Sequence, residues 1–200
     1  MSGQMKLIYF DVKGRAEVTR LLFKLAGKDF IDCRLTKEEW EAFKPSTPKG
    51  QLPLLEVDGK TMCESFAIAR YVARELNLYG FSNWEAAAVD MIVESCSGLF
   101  EQVVHAYYAK TEEEKAEVTK KTAEVLQSTE KLAVQLKKGK FILGDEASLA
   151  DSALYSTIEV LQGLLKDLKM DVYPTISELI KNFTELPAVA DWLKTRPDNK

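Results

Sequence analysis

The 200-residue sequence is poor in the residues that usually form metal sites and disulfide frameworks. It has a single histidine, His105, and only three cysteines, Cys33, Cys63 and Cys96, with no C-x-x-C pair. An odd number of widely spaced cysteines indicates neither a disulfide framework nor a dithiol redox motif, so we expect all three to be buried as small apolar residues. No cluster of ligand residues has metal-site spacing, and we therefore expect no metal.

Long apolar runs, an excess of basic residues and nucleotide-binding motifs are also missing. No stretch approaches the roughly 20 apolar residues of a membrane span, and the N-terminus lacks a signal-peptide pattern. The 27 Lys and Arg residues stand against 31 Asp and Glu residues, which gives no positive field for phosphate backbones. P-loop, Rossmann and G-x-S-x-G motifs are absent. We expect a cytoplasmic protein that binds neither nucleic acid nor membrane.

The first 79 residues alternate between strand-like and helix-like patterns. Thr36 and Glu39 form a capping box that opens a short helix, and Asp58-Gly59 predicts a tight hairpin turn. The predicted order is β-α-β-α-β-β-α, with strands in 5–10, 28–35, 52–57 and 60–63 and helices in 15–27, 36–44 and 65–78. Such alternation predicts a thioredoxin-like α/β domain over residues 1–79, with helices covering a sheet.

The remainder of the chain has only helical patterns. The breaker-rich stretch LYGFSNW predicts a linker at residues 80–84. An all-α domain is expected over residues 85–200, with helices at 85–110, 111–138, 148–166, 174–185 and 187–195. Ser148 and Asp151 form a second capping box at the start of one of these helices.

Pro53 opens a strand-like run, a position that proline tolerates only at an edge, at a first residue or at a bulge. An edge strand would invite a peptide to pair with it. A cis bond between Leu52 and Pro53 would also turn the Leu52 N–H and C=O outward, where an extended peptide could bond to both.

Polar groups suited to the rest of such a peptide lie nearby in the predicted fold. Tyr9 ends the first strand, and its phenol could donate to a thiolate and lower the thiol pKa, with Arg15 assisting electrostatically. At one end, Glu64 and Ser65 open a helix that favours a carboxylate. At the other end, the helix ahead of the proline offers Trp40 and Lys44. A carboxylate and amine, a central thiol and a second carboxylate are the layout of glutathione.

The sequence is similar over its whole length to the cytosolic glutathione transferases, most of all to the sigma class, which includes haematopoietic prostaglandin D synthase. The matching segments are KLIYFDVKGRAEVTR, RLTKEEWEAFKPSTPKGQLPLLEVDG, ESFAIARY, SLAD and LPAVADWLKTRP. The resemblance implies that glutathione is the co-substrate and that Tyr9 activates its thiol with help from Arg15. It further implies a glutathione site formed by Trp40 and Lys44 at the glycyl end, Gln51, Leu52 and cis-Pro53 at the cysteinyl portion, and Glu64 and Ser65 at the γ-glutamyl end.

The chain departs from the sigma-class pattern in two places. Glu64 stands where many members have Gln, which adds a negative charge at the γ-glutamyl end. The prostaglandin synthase of this class has an acidic cluster at the positions of Asp90, Glu94, Ser97 and Gly98. Ser97 and Gly98 are uncharged, so we do not expect this chain to share its activation by divalent metals.

A pocket for the second substrate is expected between the first loop and the helical domain. Its candidate residues are Val12, His105, Tyr108 and Thr157. A lone histidine is about as often a packed or solvated helix residue as a pocket residue. His105 could therefore contact the second substrate or have no functional role.

Three functions are compatible with this resemblance. The first is conjugation of glutathione to apolar electrophiles such as unsaturated aldehydes, aryl halides or peroxides. The second is glutathione-dependent isomerisation of prostaglandin H to D, and the third is a non-catalytic role as a ligand carrier or crystallin. The resemblance also implies a homodimer, in which we expect Arg70 and Arg74 to face Asp90 or Glu94 of the partner.

Overall fold

A computed structural model describes residues 4–197 and divides the chain into two units. The first unit extends to Leu78 and also includes the segment from Pro187 onward, whereas the second comprises Tyr79–Leu186. The sequence analysis had assigned residues 187–195 to the helical domain. The structure differs because this last helix packs on the first helix of the chain.

The first unit is built on a four-stranded mixed sheet. Its strands are β1 (Lys6–Phe10), β2 (Ile31–Leu35), β3 (Leu54–Val57) and β4 (Lys60–Cys63), in the order β2-β1-β3-β4. β1 runs parallel to β2 and antiparallel to β3, and β3 and β4 form the predicted hairpin. Pro53 therefore precedes an interior strand rather than forming part of an edge. Its missing N–H removes no hydrogen bond between strands, because the pairing of β3 with its neighbours starts at Leu54.

Three helices of the first unit follow the predicted order. They are α1 (Glu17–Leu25), α2 (Lys37–Phe43) and α3 (Ser65–Glu75), with short 3-10 turns at Gly14–Ala16 and Lys44–Ser46. The Thr36–Glu39 capping box that opens α2 is present, as predicted. α1 and α3 contact each other, and the apolar side chains of these helices and of the sheet form the core of the unit.

The last helix, α8 (Pro187–Thr195), is joined to α1 through the buried carboxylate of Glu17. Glu17 Oε1 accepts hydrogen bonds from the indole N–H of Trp192 at 2.9 Å and from Arg196 at 2.8 Å. Its second oxygen accepts from Arg20 at 3.2 Å. All three donors satisfy a charge that would be very costly to bury alone.

Arg20 is itself fully buried and links α1 to the loop after β1. Its guanidinium donates to the carbonyl of Val12 at 2.8 Å and to that of Lys13 at 3.3 Å. It also donates to Asp32 at 3.0 Å. Buried arginine donors with several acceptors hold a backbone segment in one geometry, so this side chain fixes the loop that connects Tyr9 to Arg15.

The second unit is helical, with α4 (Asn83–Tyr108), α5 (Glu112–Leu136), α6 (Leu149–Leu164) and α7 (Pro174–Thr184). α4 begins earlier than predicted because Ser82 caps it, accepting from the Glu85 N–H at 3.2 Å. The expected linker at 80–84 is therefore partly helical. Among residues 4–197, none of the helices is both long enough and apolar enough to cross a membrane.

Two carboxylates fix helix ends inside the second unit. Asp151 accepts from the Ser148 N–H at 2.9 Å in the predicted capping box, and from the Ile142 N–H at 3.2 Å. Glu130 of α5 accepts from the Thr175 and Ile176 N–H groups at 2.9 Å each, so it caps α7 from a neighbouring helix. The first unit is thioredoxin-like and the second is all α, which confirms the predicted fold class.

Candidate functional site

A cleft of about 450 Å³ opens in the first unit, where the ends of β1 and β4, the segment before β3 and the start of α3 meet. Segments far apart in sequence supply its lining: Phe10, Arg15, Trp40, Lys49, Gly50, Gln51, Leu52, Pro53, Cys63, Glu64 and Ser65. Seven of the nine residues predicted to bind glutathione line it, the exceptions being Tyr9 and Lys44.

The segment before β3 forms one wall of the cleft. The peptide bond between Leu52 and Pro53 is cis, as predicted. Leu52 lies outside the sheet ladder, which begins at Leu54, so its backbone is not used in pairing between strands. This segment therefore offers main-chain groups along the cleft wall.

Tyr9 is 9% exposed and is hydrogen-bonded to the turn that follows β1. Its hydroxyl oxygen accepts a hydrogen bond from the Arg15 N–H at 3.2 Å. Gly14 makes room for the phenol, because a β-carbon there would lie 2.6 Å from the Tyr9 oxygen, and the residue has a φ of +44°. With its oxygen accepting from the backbone, the phenol keeps its own proton available for another acceptor.

Glu64 and Lys49 form an ion pair at the cleft. The hydrogen bond and charge of Lys49 lower the pKa of the Glu64 carboxyl, and the charge of Arg15 lowers it further. The same hydrogen bond and the charge of Glu64 raise the pKa of Lys49. The negative charge that distinguishes this chain at Glu64 is therefore balanced by a cation that the sequence analysis did not select.

Ser65 is the first residue of α3 and lines the same cleft. It is 8% exposed. The start of a helix also carries N–H groups without an intrahelical partner and the positive end of the dipole. This end of the cleft is suited to a carboxylate.

Trp40 and Lys44 come from α2 and the turn after it. Trp40 lines the cleft and packs edge-on against Phe10, with ring centroids 5.8 Å apart. Lys44 lies outside the lining, but its Cε is 3.6 Å from where a β-carbon on Gly50 would stand. Lys44 thus passes beside Gly50, which does line the cleft.

The four residues predicted for the second substrate fall in different places. Val12 lies in the first unit, where its carbonyl accepts from Arg20. His105 and Tyr108 are exposed near the end of α4 and border a separate pocket of about 330 Å³ in the second unit. Thr157 is fully buried in α6, so this prediction is not supported: no ligand reaches a side chain without exposed surface.

The cysteines do not share one environment. Cys96 is buried, as predicted, and burial raises its pKa to about 12. Cys33 and Cys63 are only half-buried, and Cys63 lines the cleft, so the prediction was wrong for both.

Sequence reasoning missed Phe10, Lys49, Gly50 and Cys63 as cleft residues. Each directly adjoins a residue or segment that had been selected, and this adjacency was the available signal. Throughout the range 4–197, no group of three or more His, Cys, Asp or Glu side chains is arranged to hold a metal ion.

Two family models match the chain. Residues 5–74 match the glutathione S-transferase N-terminal domain, and residues 98–196 match the glutathione S-transferase C-terminal domain.

Similar curated proteins and solved structures belong to the same group. Glutathione S-transferase 1 of Ascaris suum is 33% identical over 97% of this chain and 97% of its own length. Hematopoietic prostaglandin D synthase of Gallus gallus is 36% identical over 96% of both chains. The crystal structure of a monomeric glutathione S-transferase from the hookworm Necator americanus has a TM-score of 0.87 and 30% identity, covering 99% of this chain and 100% of that chain.

Proposed function

Since this chain belongs to the glutathione S-transferase family, we propose that it binds glutathione in the cleft of the first unit and activates the thiol with Tyr9. The thiolate then attacks apolar electrophiles such as unsaturated aldehydes, aryl halides or peroxides. Thiolate rather than thiol is the nucleophile, so a lowered pKa raises the reactive fraction at neutral pH.

The observation that carries this proposal is the hydrogen bond from the Arg15 N–H to the Tyr9 oxygen. It orients the phenol and leaves the phenolic proton free to be donated to a sulfur anion. A hydrogen bond to the charged form of a thiol lowers its pKa. The Arg15 side chain, which lines the cleft, favours the same anion.

We assign the other predicted residues to the remaining parts of glutathione. Ser65 and the start of α3 are assigned the γ-glutamyl carboxylate, and Glu64 is assigned the adjacent ammonium group. Gln51 and the Leu52 backbone are assigned the cysteinyl portion, and Trp40 with Lys44 the glycyl carboxylate. Lys49 joins this set, because it neutralises Glu64 and so limits repulsion of the ligand carboxylates.

A second candidate reaction is isomerisation of prostaglandin H to prostaglandin D. With it we propose that the chain is a member of the sigma class. The similarity to the Gallus gallus prostaglandin D synthase supports it. His105 and Tyr108 border a pocket at the end of α4 and are proposed, with Val12, to contact the second substrate. Product analysis separates this isomerase from a conjugating enzyme.

A carrier or crystallin role is a weaker alternative. Crystallin relatives often carry a long insert in the helical domain, but here α4 ends at Tyr108 and α5 begins at Glu112. The short connection favours the enzyme. Retention on immobilised glutathione without turnover of any electrophile would favour the carrier.

We further propose a cytoplasmic homodimer. The monomeric Necator americanus structure shows that a similar chain also exists as a monomer, so sedimentation of the purified protein is the direct test. If the protein is a dimer, charge reversal at Arg70 should weaken it, whereas an unchanged dimer would exclude the proposed contact with Asp90 or Glu94.

Calorimetric titration with glutathione tests the binding site itself. We expect a measurable heat for the wild type and about tenfold weaker affinity for Ser65→Ala, because a hydrogen bond to a charged group is lost. No heat with correctly folded protein would contradict the proposed function.

A further inference from the structure

Arg20 lies in α1 without exposed surface, and its guanidinium contacts the loop at residues 10–14. This loop joins the two residues assigned to thiol activation, Tyr9 in β1 and Arg15 in the 3-10 turn before α1. A fully buried side chain cannot touch a ligand in the cleft. Any part that Arg20 has in the reaction therefore acts through other residues.

The guanidinium holds the loop by its main-chain carbonyls. It donates to the carbonyl of Val12 at 2.8 Å, to that of Lys13 at 3.3 Å and to that of Phe10 at 3.4 Å. One side chain thus contacts the loop along most of its length. Because a rigid, planar donor group serves several acceptors at once, the loop backbone is held in one geometry.

The same guanidinium also interacts with the ring of Tyr9. Its central carbon lies 5.9 Å from the ring centroid, within the range of a cation–π interaction. Such an attraction is stronger where both groups are shielded from water, and Tyr9 is only 9% exposed. Arg20 therefore restrains the aromatic ring as well as the backbone that follows it.

The geometry of the loop determines how the Tyr9 hydroxyl is oriented. The Arg15 N–H, which follows the loop, donates to the Tyr9 oxygen at 3.2 Å, the long end of the usual range. Gly14 leaves no spare room between them, because a β-carbon there would lie 2.6 Å from that oxygen. A small shift of the loop would break this hydrogen bond, and the phenol would lose the contact that leaves its proton free for the ligand sulfur.

Two carboxylates hold Arg20 itself in place. Glu17 accepts from its guanidinium at 3.2 Å, and Asp32 of β2 accepts at 3.0 Å. Glu17 is also buried and accepts from Trp192 and Arg196 in the C-terminal segment. The charge of Arg20 is thus compensated from two sides, which a buried cation requires if it is to remain in one position.

We propose that Arg20 is a positioning residue for thiol activation, which holds the Tyr9 ring and the loop so that the Arg15 N–H stays on the Tyr9 oxygen. This inference rests on the proposed function, because it concerns the group that activates glutathione. Arg20 transfers no proton and contacts no ligand. Its loss raises the pKa of the bound thiol but leaves the glutathione contacts on α2, on the segment before β3 and on α3 in place.

Arg20→Lys is the variant that tests the proposal. It keeps a buried positive charge opposite Glu17 and Asp32, but an ammonium lacks the planar fork that serves the loop carbonyls. We expect the kcat for conjugation of chlorodinitrobenzene at neutral pH to fall about tenfold and the pH profile of the rate to move upward by about one unit. The calorimetric affinity for glutathione should change much less. An unchanged pH profile in the folded variant would overturn the proposal.

Trp192→Phe is the matched control. It also removes a hydrogen bond to the Glu17 carboxylate, but the lost donor comes from α8, and Arg20 keeps its bonds to the loop. We expect the pH profile of this variant to match that of the wild type. Equal shifts in the two variants would show that loss of stability moves the profile, and the positioning role would be wrong.

Amide hydrogen exchange gives a readout that does not depend on activity. The Arg15 N–H should exchange about tenfold faster in Arg20→Lys than in the wild type, because its hydrogen bond opens more often. The reference is the Ile31 N–H of the same unit, which donates to the Met5 carbonyl at 2.9 Å and should be affected much less. Equal acceleration of both amides would contradict a local role.

A second variant covers the case in which Arg20→Lys does not fold. The double substitution Glu17→Gln with Arg20→Gln removes both buried charges together, so that neither is left without its partner. The same upward shift of the pH profile is expected, and its absence would overturn the proposal.

The failure of this inference is distinguishable from failure of the proposed function. If the wild type binds and conjugates glutathione but Arg20→Lys keeps the wild-type pH profile, the positioning role is wrong and the proposed function stands. If the wild type neither binds nor conjugates glutathione, both are wrong, even where amide exchange shows that Arg20 holds the loop.

Discussion

The indole N–H of Trp192, near the end of the chain, lies 2.9 Å from the buried carboxylate of Glu17 at the start of α1. Trp192→Phe removes this donor and keeps most of the apolar ring. We expect the free energy of unfolding to fall by about 1.5–3 kcal/mol, the usual loss for a hydrogen bond to a charged group. Urea denaturation measures it.

The matched control for this substitution is Trp84→Phe, which alters an exposed tryptophan. Surface substitutions of this kind usually change stability by less than about 0.5 kcal/mol. Equal effects of the two variants would show that the bond between Trp192 and Glu17 does not stabilise the packing of α8 on α1.

Tyr9→Phe tests the thiol-activating group. The variant lacks the proton that we assign to the thiolate, so the bound thiol should ionise at higher pH. We expect conjugation of chlorodinitrobenzene at neutral pH to fall about 10- to 100-fold, and the pH profile of the rate to move upward. Glutathione affinity should change much less, because Tyr9 is only one of the contacts. An unchanged pH profile would remove Tyr9 from the proposed mechanism.

Gly14→Ala tests the space around the Tyr9 hydroxyl. An added β-carbon would stand 2.6 Å from the phenol oxygen, in addition to the strain of a positive φ. Gly27→Ala is a matched control, because Gly27 also has a positive φ, +59°, but a β-carbon added there would meet nothing within 4 Å. Both variants should lose about 1 kcal/mol of stability from backbone strain. Only Gly14→Ala should also lower the conjugation rate, and equal rates would contradict the tight contact.

Asp151 is expected to make stability depend on pH. Burial raises its pKa from 3.8 to about 6, so between these values the folded state binds the proton more tightly than the unfolded state. Its contribution to stability is therefore full below about pH 4, falls as pH rises to about 6, and is constant above that. The decrease amounts to roughly 3 kcal/mol.

The measurement is the free energy of unfolding from pH 4 to 7 for the wild type and Asp151→Asn. The difference between the two curves should narrow or reverse with rising pH, because asparagine has no proton to lose. Asp171→Asn, which replaces an exposed carboxylate, provides the matched control. A constant difference between wild type and Asp151→Asn would show that the buried carboxyl does not titrate in this range.

Local chemistry made much of the fold predictable. The capping boxes at Thr36 and Ser148 and the turn at Asp58-Gly59 are short-range signals, and each was confirmed because its partners lie within three residues. The helix boundary near residue 83 was less accurate. Ser82 acts as the N-cap within a stretch that also contains the breakers of a linker.

The candidate site was predictable in the parts that lie on recognisable motifs. Leu52, Pro53, Glu64 and Ser65 do line one cleft. Lys49 and Cys63 were missed, because neither residue type is unusual on its own. They line the cleft only because the segment before β3 lies next to the end of β4 in the folded chain.

The sequence by itself determined the order of strands and helices, the cis-proline segment and the resemblance that named the ligand, since these depend on short-range patterns and motifs. The tertiary structure decided that β3 is interior, that α8 packs on α1 through Glu17, and that Lys49 balances Glu64. Strand order, helix packing and ion pairs between distant segments depend on which surfaces meet in the folded chain. Neither residue spacing nor local propensity specifies those contacts between distant segments.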